Sequence, residues 1–360
     1  MSKPPPRPLL LRADNFTPPS RTPWGGRRIL DFYKRDVPLG PDRAHLPVVG
    51  ESWEVSVEPD FPSLVAEDGE PLADHIARDP AAMVGEETAA RSGGCPLLIK
   101  LLDAADDLSV QIHPPDDYPP LAPDESGKPE SWYVLHAEPD AGLYLGLREG
   151  VTRDALREAL ERGADVSALL FFVRVQPGDF FVIDAGTAHA IGRGVTLVEP
   201  QRVRPGRRGL TYRYWDWNRR YDADGQPDPE GEPRPLHLED ALAVTDWDGP
   251  RERALVDRIR HRAGPPELAG AACSEALGGP AGPVPFPALT VQRLAGTGPL
   301  ALAPAPALRG LTVVEGSVRL VGSGFDVTVP CGRSAALPAS LGPARLHLDH
   351  AHAVVASAAS

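Results

Sequence analysis

Gln111-Ile112-His113 sets an amide and an imidazole two residues apart, the spacing at which a strand aims both side chains to one face. Glu130 enters a second apolar run in GKPESWYV, and His189 follows a glycine turn in DAGTAHAIG. Two imidazoles, a carboxylate and an amide oxygen suit one Zn²⁺ per chain, or another borderline divalent ion, with a position left open for water or substrate. Each residue alone has a plainer reading, since a lone strand histidine usually packs or hydrogen-bonds and a lone glutamate is solvated. Their conjunction is what makes a candidate catalytic metal site rather than a closed structural one.

Lysine usage adds a second signal. The chain holds four lysines against 33 arginines, so each lysine is informative. Lys3 sits in a Pro-rich start and Lys34 in DFYKRD, where a solvated charge is explanation enough. Lys100, in the apolar run PLLIKLLD, and Lys128, two residues before Glu130, do not read that way.

The elements that must position these groups are short. Pro (42) and Gly (35) make up roughly a fifth of 360 residues, against a usual share of about 12%. Strand patterns are expected within Trp24 to Ser56, over 97–103 and 108–113, in SWYVLHAEPDAGLYLGL, in LLFFVRVQPGDFFVID and in GVTLVEPQ. Residues 73–90 predict a small helical excursion. TRDALREALERG predicts a helix capped by Thr152 and stopped by Gly163, and HLEDALAVTDW a short one. Residues 219–236 hold too many breakers for an element and read as an exposed loop. The expected organisation is a Pro-rich arm over 1–20, a catalytic domain over 21–247, an Ala/Gly/Pro-rich linker over 248–285, and a second set of short strands over 286–360.

Charge and composition exclude several classes. A net charge of −13 argues against partners that are nucleic acid or an anionic membrane surface, and leaves a small molecule as the expected ligand. No apolar run approaches the ~20 residues that span a bilayer. Cys95, Cys273 and Cys331 are an odd number at no metal-like spacing, so the expectation is a reducing, cytoplasmic setting. There is no Gly-rich loop ending in GK[ST] to cradle a nucleotide.

A partial internal repeat points to the fold. Gly178, five residues, Asp184-Ala185-Gly186, two residues and His189 are echoed by Gly332, five residues, Pro338-Ala339-Ser340, two residues and Pro343. Both resemble the second motif of the cupin family, G-x5-P-x-G-x2-H. The expected fold class is therefore mainly β, two cupin-like jelly-roll barrels with a few short helices. The second barrel has Pro343 at the ligand position, so only the first can hold a metal this way. His347, His350 and His352 lie on that second barrel and read as surface or core residues. His45, His75, His136, His237 and His261 lack sequence partners, and the cysteines read as buried hydrophobes.

WGG at Trp24, GESWEVS at Gly50, LSVQIHP at Leu108, GKPE at Gly127, GTAHAIG at Gly186 and TYR at Thr211 resemble, in this order, the type I mannose-6-phosphate isomerases over about residues 20–245. The 59 residues from Glu130 to His189 are similar to the short bacterial form. The resemblance implies a zinc enzyme that interconverts mannose 6-phosphate and fructose 6-phosphate through a cis-enediol. It implies Gln111, His113, Glu130 and His189 as metal ligands and Arg213 as the catalytic arginine. It also implies Lys128 and Glu199 as polar groups around the sugar, with Ser109 and Lys100 lining the substrate pocket toward the phosphate. Moving a proton between C1 and C2 needs stabilisation of a developing oxyanion and a base within reach; Glu199, Lys128 and a metal-bound hydroxide are all candidates for the base. This chain departs from the family at EPQRVRPGRRGLTYR, where Arg202, Arg204, Arg207 and Arg208 precede Arg213, either reshaping the phosphate subsite or forming a solvated basic loop. Asp184 and Arg193 replace a cupin Pro and Asn that supply no ligand. Two other readings remain: an Fe²⁺ cupin oxygenase or other sugar-modifying cupin, and a non-catalytic phosphosugar-binding cupin.

Overall fold

The apolar run LLIKLLD forms the strand Leu97–Asp103, buried at every position, and it is the wall on which the rest is built. A computed structural model describes residues 6–40, 43, 45–223, 225, 227–264 and 270–359; Lys3 lies outside them. Leu97–Asp103 sits in a six-stranded sheet ordered Arg260–Arg262, Asp179–Ile183, Glu130–Ala137, Val195–Arg202, Leu97–Asp103, Glu51–Val55. A five-stranded sheet faces it, ordered Tyr212–Trp215, Val110–Ile112, His189–Ile191, Gly142–Leu147, Leu170–Arg174. The second unit is an eight-stranded antiparallel-rich sheet dominated by the long strands Leu289–Leu302, Arg309–Gly322 and Ala344–Ala358. The chain is thus mainly β with two jelly-roll-like units, as the strand spacing predicts.

Side-chain alternation gives the six-stranded sheet two functions. Ile99, Leu101, Tyr133 and Val198 point to a core shared with Leu277, Val354 and Ala356 of the second unit. Leu102, Trp132, Val134 and Leu197 point the other way, into the core between the six- and five-stranded sheets. A wall buried on both faces reads as an unbroken apolar run. Gly310 lies where the units touch, since a Cβ there would sit 2.4 Å from Ile99 Cδ1.

The capped helix appears as Arg153–Glu161, with the Thr152 hydroxyl accepting from the Ala155 amide, and Leu238–Val244 is helical. Several expectations are corrected. The 73–90 excursion is three short helices, Leu72–Arg78, Pro80–Val84 and Glu86–Ser92, broken by Pro80 and by Gly85, whose φ of 93° no helix accepts. Within Trp24 to Ser56, Ile29–Tyr33 is a helical turn. The loop at 219–236 carries a two-residue ladder pairing Arg220–Tyr221 with Glu232–Pro233. Over its described residues, 6–20, the expected surface arm is packed into the fold: Leu9–Leu10 pairs with Ala335 and Ala336, and Leu11 and Phe16 are buried. The stretch 248–285 holds the helix Glu252–Ile259, the strand Arg260–Arg262 in the six-stranded sheet, and the strand Cys273–Gly279 in the eight-stranded sheet.

Lys34 is the sharpest correction. It is 1% exposed, with Nζ 2.7 Å from Glu54 Oε1 and donating to the Gly332 carbonyl at 3.2 Å. Ser52 and Ser334 donate to the two Glu54 oxygens at 2.6 and 2.8 Å, so a buried ion pair joins the six-stranded sheet to the second unit. Truncating one partner strands the other charge away from water. Glu54→Ala should destabilise the chain by about 3–5 kcal/mol in urea unfolding, whereas the double replacement Lys34→Met/Glu54→Leu should lose less than the single one. Equal losses would show that the two charges do not act as a pair.

Candidate metal centre

Strand register assembles the site from the facing sheets. On the five-stranded side, Gln111 is the partner of both His189 and Arg213. On the six-stranded side, Glu199 pairs with Lys100, and Gln201 with Glu130. Gly186, at φ 79°, turns the chain into the strand that carries His189, and its amide donates to the His113 carbonyl. Gln111, Glu130, His189, Lys100, Ser109, Lys128 and Glu199 line one pocket, together with Glu51 and Trp132. His113 is not part of that lining, but its ring lies 4.8 Å from that of His189.

His113, Glu130 and His189 place their donor atoms within 4.8 Å of one another, all buried. Glu130 Oε2 lies 3.3 Å from His113 Nε2, and Oε1 lies 3.4 Å from His189 Nε2. The far ring nitrogens fix the protonation. His113 Nδ1 donates to the Leu210 carbonyl at 2.9 Å and His189 Nδ1 to the Thr187 carbonyl at 2.8 Å, and a carbonyl can only accept. In the neutral rings, each Nε2 therefore presents a lone pair toward the carboxylate, and neither Nε2 has a hydrogen-bond partner. Burial, reinforced by His113, pushes His189 down to about 4, so that ring is neutral at physiological pH. Lone pairs and a carboxylate converging in a buried space fit a divalent cation, with Gln111 on the neighbouring strand position as a further oxygen donor.

The surrounding charges are paired across the pocket. Burial opposes ionisation of Glu130, but Lys128, 3.3 Å away, and the two imidazoles hold its carboxyl well below the usual range. Burial also opposes the charge on Lys128, yet Glu130 and Glu199 raise its pKa, so Lys128 stays an ammonium. Glu199 moves the opposite way: burial, then the Glu130 charge, raise it above the usual carboxylate range despite Lys100 and Lys128. Trp132 Nε1 donates to Glu199 Oε1 at 3.0 Å, and Lys100 Nζ stands 4.0 Å from Oε2. Lys100 also stacks over the Trp53 ring at 4.2 Å.

Arg213 stands one step outside this pocket. Its Nε donates to Ser109 Oγ at 3.3 Å and its Nη1 to the Pro235 carbonyl, while its amide donates to His237 Nδ1. Ser109 in turn accepts from Gln111 Nε2 at 3.1 Å, so Arg213 reaches the ligand set through a hydroxyl. Arg202 and Arg204 share Asp116, and Arg208 pairs with Glu125, so three of the four inserted cations are paired with the two acids Asp116 and Glu125 while Arg207 is exposed.

Sequence reasoning missed Gln201, Glu51, Trp132 and His237. Gln201 is fully buried and donates to Glu130 Oε2 at 2.6 Å. The signal was available: in LVEPQR, Gln201 lies two residues beyond Glu199 on a strand and so shares its face. The other histidine-acid group among the described residues, Asp68, Glu70 and His75, lies toward the surface, where Arg78 already pairs with Glu70. His352 is buried and bonded to the Tyr133 hydroxyl, a packing role rather than a second centre.

Residues 20–138 match the family described as "Phosphomannose isomerase type I, catalytic domain", which bears out the motif resemblance over that stretch. A mannose-6-phosphate isomerase of Streptococcus mutans is 34% identical over 224 residues, 61% of this chain and 63% of the relative. The mannose-6-phosphate isomerase ManA of Bacillus subtilis is 40% identical over 162 residues, 45% of this chain and 47% of the relative. The chain thus spans just under two thirds of the length of the first of these relatives and about half of the second. The crystal structure of the mannose 6-phosphate isomerase from Bacillus subtilis shares the fold, with a TM-score of 0.73 at 24% identity over 97% of this chain and 99% of that one.

Proposed function

We propose that this chain, which carries the type I phosphomannose isomerase catalytic segment, is a metal-dependent isomerase that interconverts mannose 6-phosphate and fructose 6-phosphate through a cis-enediol. The observation that carries the reading is the pair of unpartnered imidazole nitrogens converging on Glu130 beside a buried carboxylate, Glu199, that resists ionisation. The names of the curated relatives support the substrate.

A divalent ion, zinc in the first instance, held by His113, Glu130, His189 and Gln111 supplies Lewis-acid stabilisation of the negative charge that builds on the sugar carbonyl oxygen. The chain's own residues do the rest. Glu199 takes the proton from one of C1 and C2 and returns it to the other: its raised pKa makes the ionised carboxylate a stronger base toward a carbon-bound proton, and the enediol, itself strongly basic at carbon, takes the proton back. Lys128 remains protonated and acts as a fixed cation beside the enediol oxygens, not as the base. The pocket floor encloses only about 50 Å³, room for the reacting end of the sugar, so the phosphate end extends past the rim at Lys100 and Ser109. Arg213 holds Ser109 and lends positive potential to that rim.

Conversion of mannose 6-phosphate by the purified protein, measured by coupled assay, should disappear on chelation and return with added Zn²⁺. Inactivity of protein shown to contain metal would sink the reading for this substrate. Gln201 gives an independent check, because it fixes the Glu130 carboxylate without touching the pocket's open side. Gln201→Leu should weaken zinc binding by about 10- to 100-fold in a competition titration with a chromophoric chelator. Unchanged affinity would mean that Glu130 needs no such support.

A further inference from the structure

The second unit has an inner face that changes character along its length. Leu311, Val313, Leu346, Leu348, Ala353 and Val355 pack together as an apolar barrel filling. Along the same strands, alternation carries that face onward to Thr290, Gln292, Ser357 and Arg309 rather than to further apolar residues. Gln292 is the cross-strand partner of Val355, and Thr290 that of Ser357, so the polar set continues the same face of the sheet toward its solvent-exposed end. A small barrel with no ligand fills its interior with side chains. Here the polar end opens into a cavity of about 580 Å³, roofed by Pro304 to Ala307 and by Glu87 and Thr88. That volume lies within the roughly 300–1,000 Å³ usual for small-molecule sites.

Arg309 is the unusual group in it. Its Nη1 donates to the Ala303 carbonyl at 2.9 Å, which anchors the side chain, while its buried Nε has no partner. No carboxylate lies within ion-pair distance of it among the described residues, and burial is the single cause acting on its pKa. Glu87, the one acid on the cavity wall, is paired with Arg91 at 3.1 Å. The buried Nε edge is shut off from the cavity, so the anchored guanidinium, set in a largely apolar cavity, offers an anion its Nη2 end, for which no hydrogen-bond partner is found among the described residues. A single cation favours a monoanion over a phosphate dianion.

We propose that the mouth of the second barrel binds a small organic carboxylate, its charged end on Arg309 and its apolar body against Leu294, Leu302, Leu346 and Val355. The site is separate from the metal centre and does not depend on the chemistry there. Octanoate and its neutral counterpart octanamide are the probes, titrated calorimetrically into the full-length protein. Octanoate should bind at a single site, at least about tenfold more tightly than the amide, the share expected of a charge-assisted pair. Arg309→Gln should reduce octanoate to the level of the amide. Thr290→Trp, which fills the mouth and leaves the guanidinium in place, should abolish both. If Arg309→Gln does not fold, the ratio of acid to amide on the unaltered protein together with Thr290→Trp decides. Equal affinity for acid and amide, undiminished binding to Thr290→Trp, or no binding at about 10 mM octanoate overturns the proposal.

Discussion

Glu199→Gln is expected to lower kcat for mannose 6-phosphate by about 10²- to 10⁴-fold, the usual contribution of a positioned acid-base group, with KM changed far less. The replacement is isosteric, and its amide oxygen still accepts from Trp132 Nε1, so the strand Val195–Arg202 and the pocket floor keep their geometry. What is lost is the ability to hold a proton. Lys128 cannot take over, since the Glu130 carboxylate 3.3 Å away raises its pKa against burial, and that partner is untouched by the replacement. Proton exchange between substrate C2 and solvent deuterium should vanish along with turnover, which separates a missing base from a missing substrate. A kcat within about tenfold of the unaltered protein would transfer the base role elsewhere.

The contrast between what could and could not be read from the sequence has a physical origin. Gln111 and His113 were legible because a strand's period of two is local, and Thr152 because a cap lies three residues from the amide it accepts from. Lys34 was not: DFYKRD looks like a solvated run, and its partner Glu54, the Ser334 hydroxyl that holds that partner, and the Gly332 carbonyl come from elements 20 to 300 residues away. The same holds for the 1–20 arm, whose prolines suggest a surface path although Leu9 and Leu11 alternate as an edge strand does. That Arg213 pairs with Gln111 across strands was not legible, and neither was its distance from the pocket, which is bridged by Ser109 and depends on where Pro235 accepts its other hydrogen bond. The breaker-rich appearance of 248–285 likewise concealed strands that serve both units, because short strands completed by partners on either side need little pattern of their own.

His189→Ala is expected to lose more than Glu199→Gln, because on the proposed reading it removes a metal ligand rather than a proton carrier. Outer partners of metal ligands are worth about 10- to 100-fold in affinity, so deleting an imidazole itself should weaken zinc by more than that and take turnover down by about 10³-fold or more. The loss has two components. One lone pair disappears from a three-residue set whose atoms lie within 4.8 Å, and the His189 ring leaves a gap against Trp132, whose centroid is 5.4 Å away. A gap alone would move Trp132 and with it Glu199, mimicking a metal effect. Metal content decides between these: zinc retained at full stoichiometry in an inactive His189→Ala protein would place the fault in Trp132 and Glu199, whereas zinc lost in His189→Ala and kept in Glu199→Gln would assign the two residues to different halves of the chemistry. His189→Gln fills most of the gap while supplying a poorer ligand, so it should recover stability without recovering activity.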